Sequence, residues 1–117
     1  IADVVVEALL NDKHDGETYE LTGPRQLTFR EVVHEISQAT SRQIEFTPIT
    51  QNAYNNLLKE VGVPEDYIWL INYLFTEVLD TEGNNIITQD VEKVLGRKPI
   101  DFADYVTQTA KTGVWNI

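Results

Sequence analysis

The segment Thr18–Val32, TYELTGPRQLTFREV, constrains this chain more than any other. It reads as a strand, a tight turn and a capped helix. Glu17 to Thr22 alternates, with Tyr19 and Leu21 on one face and Glu20 and Thr22 on the other, the period of a β-strand. Gly23-Pro24 stops it. Thr28 then stands at an N-cap with Glu31 three residues on, the pattern of a capping box, and Leu27 with Val32 fits a hydrophobic staple. A strand must have its N–H and C=O groups taken up by a neighbour. The alternating Ile44–Thr47, closed by Pro48, is the local candidate. Strand, helix and strand predict one βαβ unit with a right-handed crossover. Two short strands make a marginal sheet, so the first is expected to need a further neighbour.

The rest of the pattern is helical. Ala2, Val5, Val6, Leu9 and Leu10 repeat at helical spacing before the polar turn Asn11–Gly16, where His14 is expected to be exposed. The capped helix carries Phe29, Val32, Val33, Ile36 and Thr40 on one face and His34 on the other. Thr50 caps a helix over 51–61 with Gly62 as its stop, and Pro64-Glu-Asp opens another running to about Asp80. In that helix Tyr67, Ile68, Ile71, Leu74, Phe75 and Val78 form the expected core face. Trp69, Tyr73 and Thr76 lie on the other side, where a simple surface helix would be polar. A ligand-pocket wall, an interface, or burial on both sides would each explain them. Tyr54, on the preceding helix, joins Trp69, Tyr73 and Thr76 as a pocket or interface candidate. Thr88–Leu95 and a last helix capped by Asp101, with Phe102, Tyr105, Val106 and Thr109 inward, complete the chain.

Composition excludes several classes. With 117 residues one domain is expected, burying roughly 65% of its unfolded surface. There is no cysteine, hence no disulfide or thiolate metal site, which fits a cytoplasmic setting. A net charge of −10 repels phosphate backbones, so nucleic acid is not an expected partner. No apolar run reaches the ~18 residues of a membrane span. Asp80–Asn85, DTEGNN, begins like a calcium loop, but the glycine falls at position 4 and Val91 at position 12, so a turn is expected instead. The glycines at 16, 23, 62, 83, 96 and 113 form no phosphate-binding loop, and no tyrosine has a lysine four residues on. No residue is assigned a catalytic, cofactor-binding or metal-ligating role.

In order along the chain, IADVVVEALL, G-x-T-Y-E-L-T-G-P-x-x-L-T-F-x-E-V, TSRQIEFTPIT, GVPED and VEKVLGRKPIDFADYV resemble the C-terminal part of NmrA-like proteins. These are atypical, extended members of the short-chain dehydrogenase/reductase family. TSRQ departs from the glycine-containing LGR of many relatives. The resemblance implies an α/β protein in which residues 1–117 are a mostly helical C-terminal substrate-pocket fragment. An N-terminal Rossmann domain binding NAD(P) would lie outside the chain. The absence of methionine and the uncapped helical start at Ile1 likewise predict a piece of a longer protein. Val5, Tyr19, Leu21 and Thr22 then become interdomain contact candidates, and the open edge predicts self-association of the fragment. The implied parent is an NAD(P)H-dependent reductase of a small carbonyl or quinone-type acceptor. A dinucleotide-sensing regulator that binds a protein partner, or a freestanding helical interaction module, are the alternatives.

The capping box carries its own test. Thr28→Ala should lower unfolding free energy by about 1 kcal/mol in denaturant titrations; an unchanged midpoint would show that the box contributes nothing.

Overall fold

A computed structural model describes residues 1–79 and 85–116. The expected turn at Asp80–Asn85 falls largely outside the described residues. Helices α1 (Ala2–Leu10), α2 (Phe29–Thr40), α3 (Gln51–Glu60), α4 (Glu65–Tyr73), α5 (Asp90–Leu95) and α6 (Phe102–Lys111) follow one another. A 3₁₀ turn spans Asp12–His14, and α4 runs on into a π-helical turn, Leu74–Leu79. The chain divides into two compact units, Ile1–Glu45 with Ile87–Ile117, and Phe46–Ile86.

No strand occurs among the described residues. The expected βαβ unit, and with it a Rossmann-type α/β part, is therefore not present. Side chains do what a neighbouring strand would have done. The Glu20 N–H donates to the Asp90 carboxylate at 2.8 Å, and the Thr88 N–H donates to the Thr22 hydroxyl at 3.0 Å. The Thr88 hydroxyl donates to the Glu20 carbonyl. At the second expected strand, the Ile44 N–H donates to the Ser37 hydroxyl at 3.2 Å. Glu20 and Ile44 thus have side-chain partners where a ladder would supply backbone ones.

Helix ends follow the local chemistry. Thr28 accepts from the Glu31 N–H at 3.2 Å while Glu31 accepts from the Thr28 N–H at 2.7 Å, the reciprocal box expected. Thr50 caps α3 through the Ala53 N–H at 3.2 Å, and Asp101 caps α6 through the Ala103 N–H at 2.8 Å. Gly62 and Gly96, at φ 81° and 66°, take left-handed conformations after α3 and α5. Ser41 closes α2 at φ 52°, a conformation that favours glycine.

In the first unit α1 packs on α5, and α2 on α6. Val4, Val91, Val94 and Val106 are buried there. Val32, Val33 and Ile36 of α2 are half-buried as expected, but Phe29 is exposed. In α6, Val106 is buried while Tyr105 is exposed. The α1 expectation is reversed: Val4 is the inward residue, Leu9 is 80% exposed and Leu10 74% exposed. Every residue of this helix except Asp3 and Glu7 is apolar, so periodicity selects a face only broadly. The second unit is an α3–α4 pair extended by the π-turn, with Leu58 and Ile68 buried. Tyr67, Leu74 and Val78, expected inward, are exposed.

The accessible surface is 9203 Å². An unfolded chain of this mass would expose roughly 19,000 Å², so about half is withdrawn from water rather than the expected two thirds. Two separate compact bodies of the units' lengths would together expose roughly 7,800 Å². Apolar faces therefore remain open within the units themselves.

An ionic fork ties the first unit together. Arg25 donates through Nε and Nη2 to the two Asp101 oxygens at 2.7 and 2.8 Å, and Nη2 lies 2.7 Å from Glu35. The Gly23-Pro24-Arg25 turn is thus pinned to α2 and to the cap of α6. Hydrogen bonds from Arg25, then from the Ala103 N–H, lower the Asp101 pKa to about 2. A carboxylate depressed on folding stabilises the native state above its ordinary pKa, and that contribution ebbs as pH falls through the folded value. The melting temperature should therefore drop between about pH 4 and pH 2. Asp101→Asn should shrink that drop; an identical acid profile in the variant would contradict the fork's role.

Candidate functional site

The second unit holds the aromatic candidates. Trp69 and Tyr73, one turn apart on α4, stack with ring centroids 5.6 Å apart and planes at 18°. Trp69 is 66% and Tyr73 46% exposed. Burial on both sides of this helix is thus ruled out for the described chain. The structure does not add Tyr54 to the pair: its ring meets Phe75 edge-on at 6.0 Å, on the packed side of α3 and α4. Thr76 is exposed and donates its hydroxyl to the Asn72 carbonyl at 3.0 Å. Beside them runs an amide ladder from Gln51 to Asn55 at 3.0 Å and from Asn55 to Asn72 at 3.1 Å.

The first unit holds the interdomain candidates. Val5 stands on the open apolar side of α1 with Val6, Leu9 and Leu10. Leu21 and Thr22 line a cleft of about 250 Å³ with Val91, Leu95 and Ile100, and the Arg97–Asp3 ion pair belongs to its wall. A second, largely apolar cleft of about 320 Å³ is walled by Leu27, Phe102 and Tyr105. Tyr19 takes another role. Its hydroxyl lies 2.8 Å from Nδ1 of His14, and Lys93 sits 5.3 Å from its ring centroid. His14 is not exposed as expected: its side chain retains 6% exposure, with Nε2 3.7 Å from Glu7. The Lys13 ammonium, 3.0 Å from the Glu7 carboxylate, holds the Glu7 pKa below its ordinary value. His34 is exposed, as its helix face requires.

These sites can hold apolar and aromatic groups. Thr28, Thr50 and Asp101 cap the N-termini of α2, α3 and α6, while those of α1 and α4 carry no side-chain cap. Arg25, in the second cleft, is committed to two carboxylates and Arg97 to a third. Among the described residues no group of three or more His, Asp or Glu side chains could hold a metal ion, and no helix is long and apolar enough to cross a membrane. The Arg25–Asp101 and His14–Tyr19 pairings were not anticipated. Arg25 and Asp101 are 76 positions apart, and no short-range pattern joins them. A histidine five residues before the aromatic end of an alternating segment was the only available sign of the other pair.

Comparison with known proteins places oxidoreductases among the relatives. Over 113 residues the chain is 31% identical to the NAD(P)H azoreductase of Xenophilus azovorans, covering 90% of this chain and 36% of that protein. Over 101 residues it is 30% identical to prestalk A differentiation protein A of Dictyostelium discoideum, covering 86% and 33%. Over 117 residues it is 26% identical to the uncharacterized oxidoreductase YesF of Bacillus subtilis, covering 98% and 41%. The chain thus spans about a third to two fifths of the length of these relatives. No family model and no solved structure matches it.

Proposed function

We propose that this chain is the substrate-side portion of a longer NAD(P)H-dependent oxidoreductase of NmrA-like type, reducing a small carbonyl, quinone-type or azo acceptor. The observation that carries the reading is the match of nearly the whole chain to about a third of an NAD(P)H azoreductase. The open apolar faces support it. Val5, Val6, Leu9 and Leu10 would be covered by the remainder of the longer protein, together with the cleft that Leu21 and Thr22 line. Without that cover the same face would pair with a second copy.

In this reading the dinucleotide supplies the hydride and is held by a separate cofactor-binding domain. The residues described here bind and orient the acceptor and exclude water from it. Trp69 and Tyr73 offer the aromatic surface, with Thr76 at its edge. No proton donor is assigned within the chain.

A second reading follows from the Dictyostelium relative, which is named for differentiation rather than for a reaction. There the longer protein would sense the dinucleotide and pass the signal to a protein partner. One experiment separates the two. The purified longer protein, given NADPH and a panel of quinone and azo acceptors, should consume NADPH only when an acceptor is present. Saturable NADPH binding without turnover on any acceptor would overturn the enzyme reading in favour of the sensor.

A further inference from the structure

Of the two histidines, His14 is the buried one, and a buried imidazole needs partners for both ring nitrogens. Nδ1 lies 2.8 Å from the Tyr19 hydroxyl. Nε2 is buried with no hydrogen-bond partner among the described residues, and it faces the Glu7 carboxylate at 3.7 Å. That separation is too long for a hydrogen bond but short for two charges. A neutral imidazole has one N–H; an imidazolium has two and a full positive charge. The phenol suits both states, since it donates to a bare Nδ1 and accepts from a protonated one.

The surrounding groups set the balance. From α1, Glu7 favours the cation. From the same turn as His14, Lys13 opposes it and competes for the same carboxylate at 3.0 Å. Asp12 and Asp15, in that turn, are exposed. From α5, Lys93 lies 5.3 Å from the Tyr19 ring centroid, and Asp90 accepts from the Glu20 N–H. Burial also opposes the charge. Lys13 holds the Glu7 pKa below its ordinary value, so Glu7 stays ionised throughout the range in which histidines change charge. A proton taken up by His14 therefore meets a standing negative charge.

Helix α1 is an element that such a contact can move. Its nine residues fall short of the roughly 12 that a helix needs to be even marginal in water by itself. It has no side-chain N-cap, no basic residue in its last turn, and one buried side chain, Val4. One added charge contact changes the order of such a helix severalfold. We propose that His14 is a proton-operated clasp on α1: when charged, its imidazole draws Glu7 in and firms the helix that presents Val5, Val6, Leu9 and Leu10 outward. The clasp holds on the acid side and is lost as pH rises and the imidazole discharges. The apolar face of α1 is thus best ordered for a neighbour at mildly acidic pH. This claim concerns the chain alone and does not depend on the oxidoreductase reading.

The test is an NMR titration of the 117-residue chain from about pH 8 to about pH 5. Ring nitrogen shifts report the charge of each histidine, and Cα shifts of Val5–Leu10 report helix in α1. As the His14 ring charges, the ratio of helical to frayed α1 should rise about threefold, while Cα shifts around Val106 hold still. Glu7→Gln keeps the imidazole and removes its anion, and should abolish the rise, as should His14→Gln. Lys13→Gln releases Glu7 to the imidazole and should enlarge it. His34→Gln, which assigns the two rings, should leave it intact. A His14 ring that stays uncharged to the end of the titration overturns the proposal. So does charging of His14 with no change in α1, a rise that survives in Glu7→Gln, or a smaller rise in Lys13→Gln.

Discussion

Burial of apolar surface is the main force available to a small domain, and this chain spends it sparingly. Among the described residues only Val4, Leu58, Ile68, Val91, Val94 and Val106 are buried apolar side chains. Four of them are valines of the first unit, and two hold α3 to α4. The remaining order comes from polar devices that act at a few points: the caps at Thr28, Thr50 and Asp101, the Arg25 fork, and the Asp90 and Thr88 contacts to the Glu20–Thr22 segment. Such contacts fix direction well. Each contributes modestly to net stability, because it replaces a hydrogen bond to water.

What the polar devices hold in place is a set of open faces. The Arg25 fork fixes the turn after Thr22, and with it the cleft lined by Leu21 and Thr22. The packing of α1 on α5 through Val4 turns Val5, Leu9 and Leu10 outward. The α3–α4 pair turns Phe75 inward against Tyr54 and leaves Trp69 and Tyr73 outside. Local geometry in each unit thus presents apolar surface to whatever lies next to it. A compact domain of this length would be expected to cover more of it.

Helix boundaries were legible in the sequence because their chemistry is local. The Thr28–Glu31 box, the caps at Thr50 and Asp101, and the stops at Gly62 and Gly96 all lie within a few residues of the ends they set. The strands were misread because alternation describes a segment that could pair, not one that does. Here the Glu20 backbone found the side chains of Asp90 and Thr88, up to 70 positions away. The inward face of α1 was misread because apolar residues cover all of the helix but its Asp3–Glu7 edge. The anomaly at Trp69 and Tyr73 was legible as an anomaly, and the structure resolves one part of it by leaving both rings in water. Their near-parallel stacking depends on rotamers, which spacing does not specify.

In the proposed oxidoreductase, α1 and its apolar face are completed by polypeptide other than these 117 residues. Amide hydrogen exchange tests it most directly, run on the chain alone and on the longer protein under the same conditions. In the chain alone the amides of 5–10 should exchange close to their unprotected rates while those around Val94 and Val106 stay slow, and in the longer protein both sets should be slow. Equal, strong protection of α1 in the two samples would contradict the claim, because the helix would then be fully supported from within.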